Sequence, residues 1–197
     1  GTNLPDSRSK VKDNTYAAFL QYNMALNAST YFNIGVRYEH AEFDYNDLMN
    51  SGNSLNRSYD NLFPSASIST AWGKTRLSLS YSSKTMRPSF WQLNNSMSYH
   101  NRYVVQQGNS TLKPATEHTL SLIVMRGMFT LGASYSQYND LMCSWSEQMN
   151  DEGMIRISYN NIDKPQRQIN LFATANKTWG CFTPSWTLAM VKQWLTL

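Results

Sequence analysis

The places where this chain could do chemistry are its three histidines, two cysteines and scattered carboxylates. His40, His100 and His118 stand alone, with no His-x-His or His-x-x-x-His pair to face one metal ion. Cys143 and Cys181 show neither metal-type spacing nor the regular framework of a disulfide-stapled domain. There is no glycine-rich phosphate cradle and no Gly-x-Ser-x-Gly elbow, and nothing in the spacing selects one pair of carboxylates as acid and base. No catalytic residue, metal or cofactor is expected, and the chain does not read as an enzyme. Aromatic residues beside amides are the exception. Trp91, Tyr99, His100 and Tyr103 share one polar segment with Gln106 and Gln107, and Tyr138 and Trp145 follow further on. Aromatic faces with amide and hydroxyl neighbours hold sugars or peptides by stacking and hydrogen bonding. Trp91, Tyr99, His100, Tyr103, Tyr138 and Trp145 are therefore the candidate ligand-binding residues.

The elements that must position them alternate with a period of two. Leu62, Pro64, Ala66, Ile68, Thr70 and Trp72 fall on one face of an extended chain, and Ser65, Ser67 and Ser69 fall on the other. Leu77, Leu79 and Tyr81 repeat the pattern after a Gly73-Lys74 turn, so the two segments are predicted antiparallel neighbours. Residues 15–27 and 30–39 form a similar pair about a turn at Asn27 to Ser29. Leu120, Leu122 and Val124 face Leu131, Ala133 and Tyr135 about Arg126 and Gly127, and that second strand is expected to run on through Leu141 and Trp145. Met154 to Thr178 reads as one long strand with an irregular middle, in which Pro165 costs a ladder bond. The last strand, with Phe182, Trp186, Leu188 and Met190, follows a turn at Trp179 and Gly180. Between the tight turns lie long connections, Asp44 to Asp60, Lys84 to Thr116 and Met149 to Gly153. The second, of about thirty residues, carries no periodic pattern and is expected to be a functional loop.

About eight antiparallel strands result, with every tight turn at one end and every long loop at the other. That asymmetry predicts an all-β fold: an antiparallel up-and-down transmembrane β-barrel, of which these are about eight strands. Composition agrees. Only 15% of residues are charged, against ~25% in soluble domains. No apolar run approaches the ~18 residues of a spanning helix, whereas a spanning strand needs about ten residues with alternate ones apolar. A mean hydropathy of -0.50 is therefore no objection. Trp72, Trp179 and Phe182 gather at the tight turns and Tyr38, Tyr81, Tyr135 and Tyr138 toward the loops, as in interfacial girdles. Arg37, Glu39, Arg76 and Arg156 all fall on the polar face, where a lumen would hydrate them. The net charge of +4 comes without a basic run, so nucleic acid is not an expected partner. No leader pattern opens the chain, and Gly1 begins mid-pattern, which reads as a mature chain or an excised piece.

Residues now carry a resemblance. TYAAFLQYNMAL, FNIGVRYEHAEF, YDNLFPSASIS, LSLSYSSKTMRPSFWQLN, GNSTLKPATEH and NIDKPQRQINLFA, in this order, resemble the barrel of TonB-dependent outer-membrane receptors of the Bacteroidetes-type barrel family. The resemblance covers Asn14 to Thr178. It implies a barrel of about twenty-two strands closed by an N-terminal plug, a place in the bacterial outer membrane, and import of large or scarce nutrients with energy from the inner membrane. Residues 1–197 are then expected to be a partial barrel domain without the plug. The implied partners are outer-membrane lipid, the plug and remaining strands, the TonB complex acting through that plug, and a sugar, peptide or siderophore ligand. Two alternatives stand beside it: a small complete eight-stranded outer-membrane barrel with a structural or adhesive role, and a soluble β-calyx for an apolar ligand.

Overall fold

The computed structural model describes residues 9–47, 54–95, 97–149 and 153–196. In chain order the strands are β1 (Ser9–Asn27), β2 (Thr30–Asp47), β3 (Leu55–Trp72) and β4 (Thr75–Met86), followed by the short helix α1 (Phe90–Leu93). After them come β5 (Met97–Asn101), β6 (Val104–Gln107), β7 (Ala115–Arg126), β8 (Phe129–Asn139), β9 (Leu141–Gln148), β10 (Ile155–Ile162), β11 (Gln166–Asn176) and β12 (Ser185–Trp194). Eight of them make one antiparallel sheet in the order β1-β2-β3-β4-β7-β8-β11-β12, the up-and-down arrangement that the alternation predicts. The sheet is open, because β1 and β12 do not pair with each other.

The tight turns do lie together. Trp72 pairs with Thr75, Arg126 with Phe129, Asn27 with Thr30, and Trp179 bridges Phe182. Gly73, Gly127 and Gly180 turn with φ near +60°, a region in which a Cβ clashes with the backbone. Side-chain parity then divides the sheet into two faces. Leu20, Ile34, Leu62, Leu79, Leu122, Leu131, Leu171 and Leu188 share one face, and all of them are exposed: Leu188 is 75% accessible, and Trp72 beside the turn 89%. Serines, threonines and Gly132 occupy the other, joined across strands by bonds such as Ser69 Oγ to Ser78 Oγ (3.0 Å) and Thr119 Oγ1 to Ser136 Oγ (2.8 Å). A calyx would bury its apolar face. Here a continuous apolar surface faces outward, as required of a wall whose solvent is lipid.

The chain departs from the sequence reading at the loop end. The segment Lys84 to Thr116 is not patternless: it holds α1, β5 and β6. Met154 to Thr178 is two strands in two different sheets, and Pro165 lies in the break between them, where no ladder bond is lost. The matching parity on its two sides misled, since β10 alternates against the small sheet and β11 against the wall. Nor does β8 continue through Trp145. Asp140 takes a positive φ of 52°, the chain leaves the wall there, and β9 begins. The connection placed at Asp44 to Asp60 is shorter than expected, because β2 and β3 run on to Asp47 and Leu55. Arg156, assigned to the wall, stands in β10. Of the connection placed at Met149 to Gly153, residues 150–152 lie outside the described residues.

A second sheet, β5-β6-β10-β9, results. Its central pair is parallel, Val104 to Ile155 and Val105 to Arg156. Parallel neighbours cannot be joined by a hairpin. The two strands come from different long loops, one between β4 and β7 and one between β8 and β11. The described buried apolar side chains gather at this end: Ala41, Tyr45, Leu93, Val105, Leu112, Ala115 and Ile162. The wall is only a sheet, and the nearest thing to a core is where the loops pack on it.

Candidate functional site

The loops are held by a short list of contacts, each made by the polar face of the wall. Glu39 of β2 receives Arg87 at 2.5 Å and its own neighbour Arg37 at 2.7 Å, and Arg87 also donates to Thr15 Oγ1 at 3.0 Å. Pro88 is buried behind Arg87, and Ser89 with Gln92 forms a capping box that starts α1. Phe90 then packs on Tyr45 with ring centroids 5.3 Å apart. Arg57 of β3 donates to the carbonyls of Ser110 and Leu112. Glu39, Tyr45 and Arg57 share the parity of the serine-rich face. The loop structure therefore roofs that side of the sheet.

The GNSTLKP segment is the knot of the roof. A Cβ on Gly108 would lie 2.4 Å from the carbonyl oxygen of Asn94, so the two backbones meet only because no side chain intervenes. Asn109 accepts from the backbone N–H of Thr111 at 2.9 Å and donates to the Tyr159 carbonyl at 2.9 Å. Leu112 is fully buried. Asn161 accepts from the Lys113 N–H (2.8 Å) and donates to the carbonyls of Lys113 (2.9 Å) and Asp140 (2.7 Å). One asparagine thus ties β10, the end of the first loop and the point at which the second leaves the wall.

The six candidate residues do not converge on one point. Tyr99 and Trp145 stand on the same face of the small sheet, since Tyr99 pairs with Val105, Val105 with Arg156 and Arg156 with Glu147. Three strand spacings, about 14 Å, and an offset of two residues along β9 separate them. Between them lies Arg156, which donates to Glu147 at 2.6 Å. His100 meets Gln106 at 2.7 Å, and Gln106 donates to the Tyr159 hydroxyl at 3.2 Å, a chain on the opposite face. Tyr103 is at the tip of the β5-β6 turn with the Arg102 guanidinium 5.3 Å from its ring centre. Trp91 is 67% exposed on α1, edge-on to Phe90. Tyr138 is not a loop residue. It lies on β8 beside Glu117, on the polar face, where Lys84 reaches Glu117 at 2.9 Å and Tyr138 hydrogen-bonds the same carboxylate. Its place among girdle aromatics fails for the same reason, because Tyr38, Tyr81 and Tyr135 have apolar-face parity and Tyr138 does not.

The described residues contain no cluster of three His, Cys, Asp or Glu that could hold a metal. Cys143 and Cys181 are unpaired, the first half-buried and the second exposed.

The sequence matches the outer membrane protein beta-barrel family over residues 3–192. The chain belongs to that family. It is a protein of the bacterial outer membrane, its apolar face meets lipid, and its serine-rich face lines the lumen. Known folds agree: the siderophore receptor PirA from Pseudomonas aeruginosa superposes with a TM-score of 0.60 at 16% identity, covering 95% of this chain and 44% of that one. The Serratia marcescens hemophore receptor HasR, solved with its hemophore HasA and heme, gives 0.73 at 12%, covering 91% and 34%. The FrpB iron transporter from Neisseria meningitidis gives 0.62 at 14%, covering 93% and 27%. This chain thus spans less than half the length of each. No curated protein sequence matches it.

Within this outer-membrane barrel family the roof lies over the outer end, away from the tight turns, because long loops are extracellular and short turns periplasmic. Arg57, Asn109 and Asn161 are residues to which the sequence alone assigns no role, whereas Arg87 with Pro88 is expected to shape the start of the loop, where Arg87 reaches Glu39. Asn109 was detectable, as an Asx-type turn former in GNST. Arg57 was not, since its partners lie 53 and 55 residues away.

Proposed function

We propose that this chain is a section of the barrel wall, with its outer loops, of a TonB-dependent receptor that draws a scarce nutrient through the outer membrane. The observation that carries the reading is the roof: two loops distant in sequence share one sheet and are braced to the lumen face at Glu39, Tyr45 and Arg57. Family membership and the likeness to siderophore and heme receptors support it. On this reading residues 1–197 are a partial barrel domain, and the plug and further strands belong to the complete receptor. Its energy comes from the TonB complex acting on that plug. No chemistry is done on the cargo, which is a sugar, peptide or siderophore. Trp91, Tyr99, His100, Tyr103 and Trp145 offer rings and polar edges on the roof, and Tyr138 meets cargo inside the lumen beside Glu117. Their separation suits an extended ligand touched at several points.

The test begins with a blot of membrane fractions, using an antibody against residues 87–114, on heated and unheated samples. A heat-shifted outer-membrane band well above 22.6 kDa is the expected result, and a strain lacking the gene then loses protonophore-sensitive uptake of one nutrient class. An outer-membrane band at the size of this chain, or a deletion strain with normal uptake of sugars, peptides and ferric siderophores, would sink the proposal.

A further inference from the structure

The roof sheet has two edges, and they are finished differently. At one edge β9 starts where the chain leaves the wall, lies beside β7 there, and carries Glu147, paired with Arg156. At the other edge β5 reads Met97-Ser98-Tyr99-His100-Asn101, without the proline, lysine or other charged residue that usually guards an edge. All five of its residues are exposed, and among the described residues no strand pairs with its outer side. The free edges of β1 and β12 differ in kind, since closure of a barrel removes them.

Which backbone groups β5 offers follows from the ladders behind it. The Ile155 N–H donates to the Tyr103 carbonyl at 2.7 Å, and Ile155 is in register with Val104. In this parallel ladder Tyr103 and Val105 therefore address β10, and the even residues Val104 and Gln106 turn their N–H and C=O toward β5. Gln106 stands opposite Ser98, so Ser98 exchanges both of its bonds with β6. Met97 and Tyr99, opposite Gln107 and Val105, turn theirs away. The free edge thus offers two N–H groups and two carbonyls, in two sets about 7 Å apart. The Met97 and Tyr99 side chains, 46% and 52% accessible, flank these groups on one face, and Ser98 lies on the other. A register shift between Tyr99 and Asn101 ends the notch at the β5-β6 turn. So short an edge keeps whole sheets from pairing there, yet two rows suffice to seat a guest strand.

That pattern separates the classes of cargo. Neither a sugar ring nor a ferric chelate repeats a donor and an acceptor at this spacing, whereas an extended peptide does so at every second residue. Resting on the receptor role proposed above, we infer that the cargo is a peptide, bound in extended form as a strand added to β5. An antiparallel guest places two alternate residues opposite Met97 and Tyr99, each exchanging two hydrogen bonds. Their side chains lie beside Met97 and Tyr99, where apolar groups fit, and the residue between them stands beside Ser98, where a polar group fits. Main-chain bonds carry the affinity, so many peptide sequences are accepted.

The test uses the complete receptor in detergent and a fluorescein-labelled octapeptide of alternating Val and Thr, with binding read by fluorescence anisotropy. Valines opposite Met97 and Tyr99 turn their N–H groups to β5. N-methylation of the valines therefore lowers the affinity at least about 10-fold, and N-methylation of the threonines leaves it within about twofold. Tyr99→Pro removes one outward donor and no bond to β6, lowering the affinity about 10-fold, and Tyr99→Ala, which keeps that donor, loses less. The N-methylated pair is measured on wild type and is decisive whether or not the proline variant keeps its roof. Equal affinities for those two peptides overturn the assignment. A wild type that binds none of the three also overturns it, and dimerisation abolished by Tyr99→Pro would give the edge to a second copy. In cells, protonophore-sensitive uptake of the parent peptide falls with Tyr99→Pro. Normal uptake in a strain lacking the gene, with the purified protein still separating the N-methylated pair, would sink the import role while strand addition at β5 stands.

Discussion

His40 and Asp60 pair directly across β2 and β3, one row beyond the ten or so residues of each strand that cross the bilayer. Asp60 Oδ1 meets His40 Nδ1 at 2.9 Å and receives the Tyr38 hydroxyl at 2.5 Å. The hydrogen bond to Asp60 holds the imidazole above its usual pKa, and the bonds from Tyr38 and His40 hold the Asp60 carboxyl below its own. The raised histidine contributes stability below its ordinary pKa that is lost as pH rises through the raised value. The depressed carboxylate contributes above its ordinary pKa, and that part is lost as pH falls through the lowered one. The contact is thus strongest between the two, and Asp60→Asn returns the His40 titration toward that of a free imidazole, measurable from its ring proton shifts by NMR. A midpoint that stays where it was would refute the pairing. Gly108 is the second residue whose replacement has a clear outcome. A methyl there meets the Asn94 backbone, so Gly108→Ala should cost about 1 to 3 kcal/mol by overpacking and open the roof to protease while the wall keeps its heat shift.

Pairing between loops is an element-scale claim with an element-scale test. With Cys143 and Cys181 replaced by serine, Val104→Cys and Ile155→Cys should cross-link under mild oxidation, because they are parallel neighbours. Met97→Cys with Ile155→Cys should not, since Met97 pairs at the far end of β6 with Gln107. The eight wall strands were legible in the sequence because each has one face in lipid and one in water, and period-two alternation records that difference directly. Leu77, Leu79 and Tyr81 against Ser78, Ser80 and Ser82 show it plainly. The roof was not legible because its strands are short and their partners distant. Val104 and Val105 break alternation, as β6 buries Val105 and half-buries its neighbour. The pattern Ile155, Ile157, Tyr159 was visible, but nothing local tells which sheet it joins. The break at Asp140 had a signal in Asn139-Asp140, a common turn pair, that the continuing apolar residues Leu141 and Met142 obscured. At the site the aromatics were found as a group, but their faces could not be: Tyr138 points into the lumen because of its register on β8, a fact set by strand pairing.

At the scale of the whole molecule the two faces make opposite demands. Leu79 lies mid-way along β4 on the lipid side and Ser80 follows it on the lumen side. Leu79→Arg should destabilise the folded barrel in vesicles by about 2 to 4 kcal/mol, the cost of a midplane cation facing lipid, and Ser80→Arg should change it far less. Equal effects in a denaturant titration would contradict the assignment of faces. The open edges of β1 and β12 show the same logic, since each is a row of backbone groups waiting for a neighbouring strand. A different consequence follows from the parallel pair in the roof. Loops of a receptor are commonly thought of as separately exchangeable, each free to be lengthened, shortened or grafted while the barrel stays the same. Here residues 87–114 and 140–165 complete one another's hydrogen-bond ladder, so a chimera that imports one without the other strands its partner. If the proposed receptor role holds, its specificity is inherited by pairs of loops, and a change of cargo requires the two to change in step.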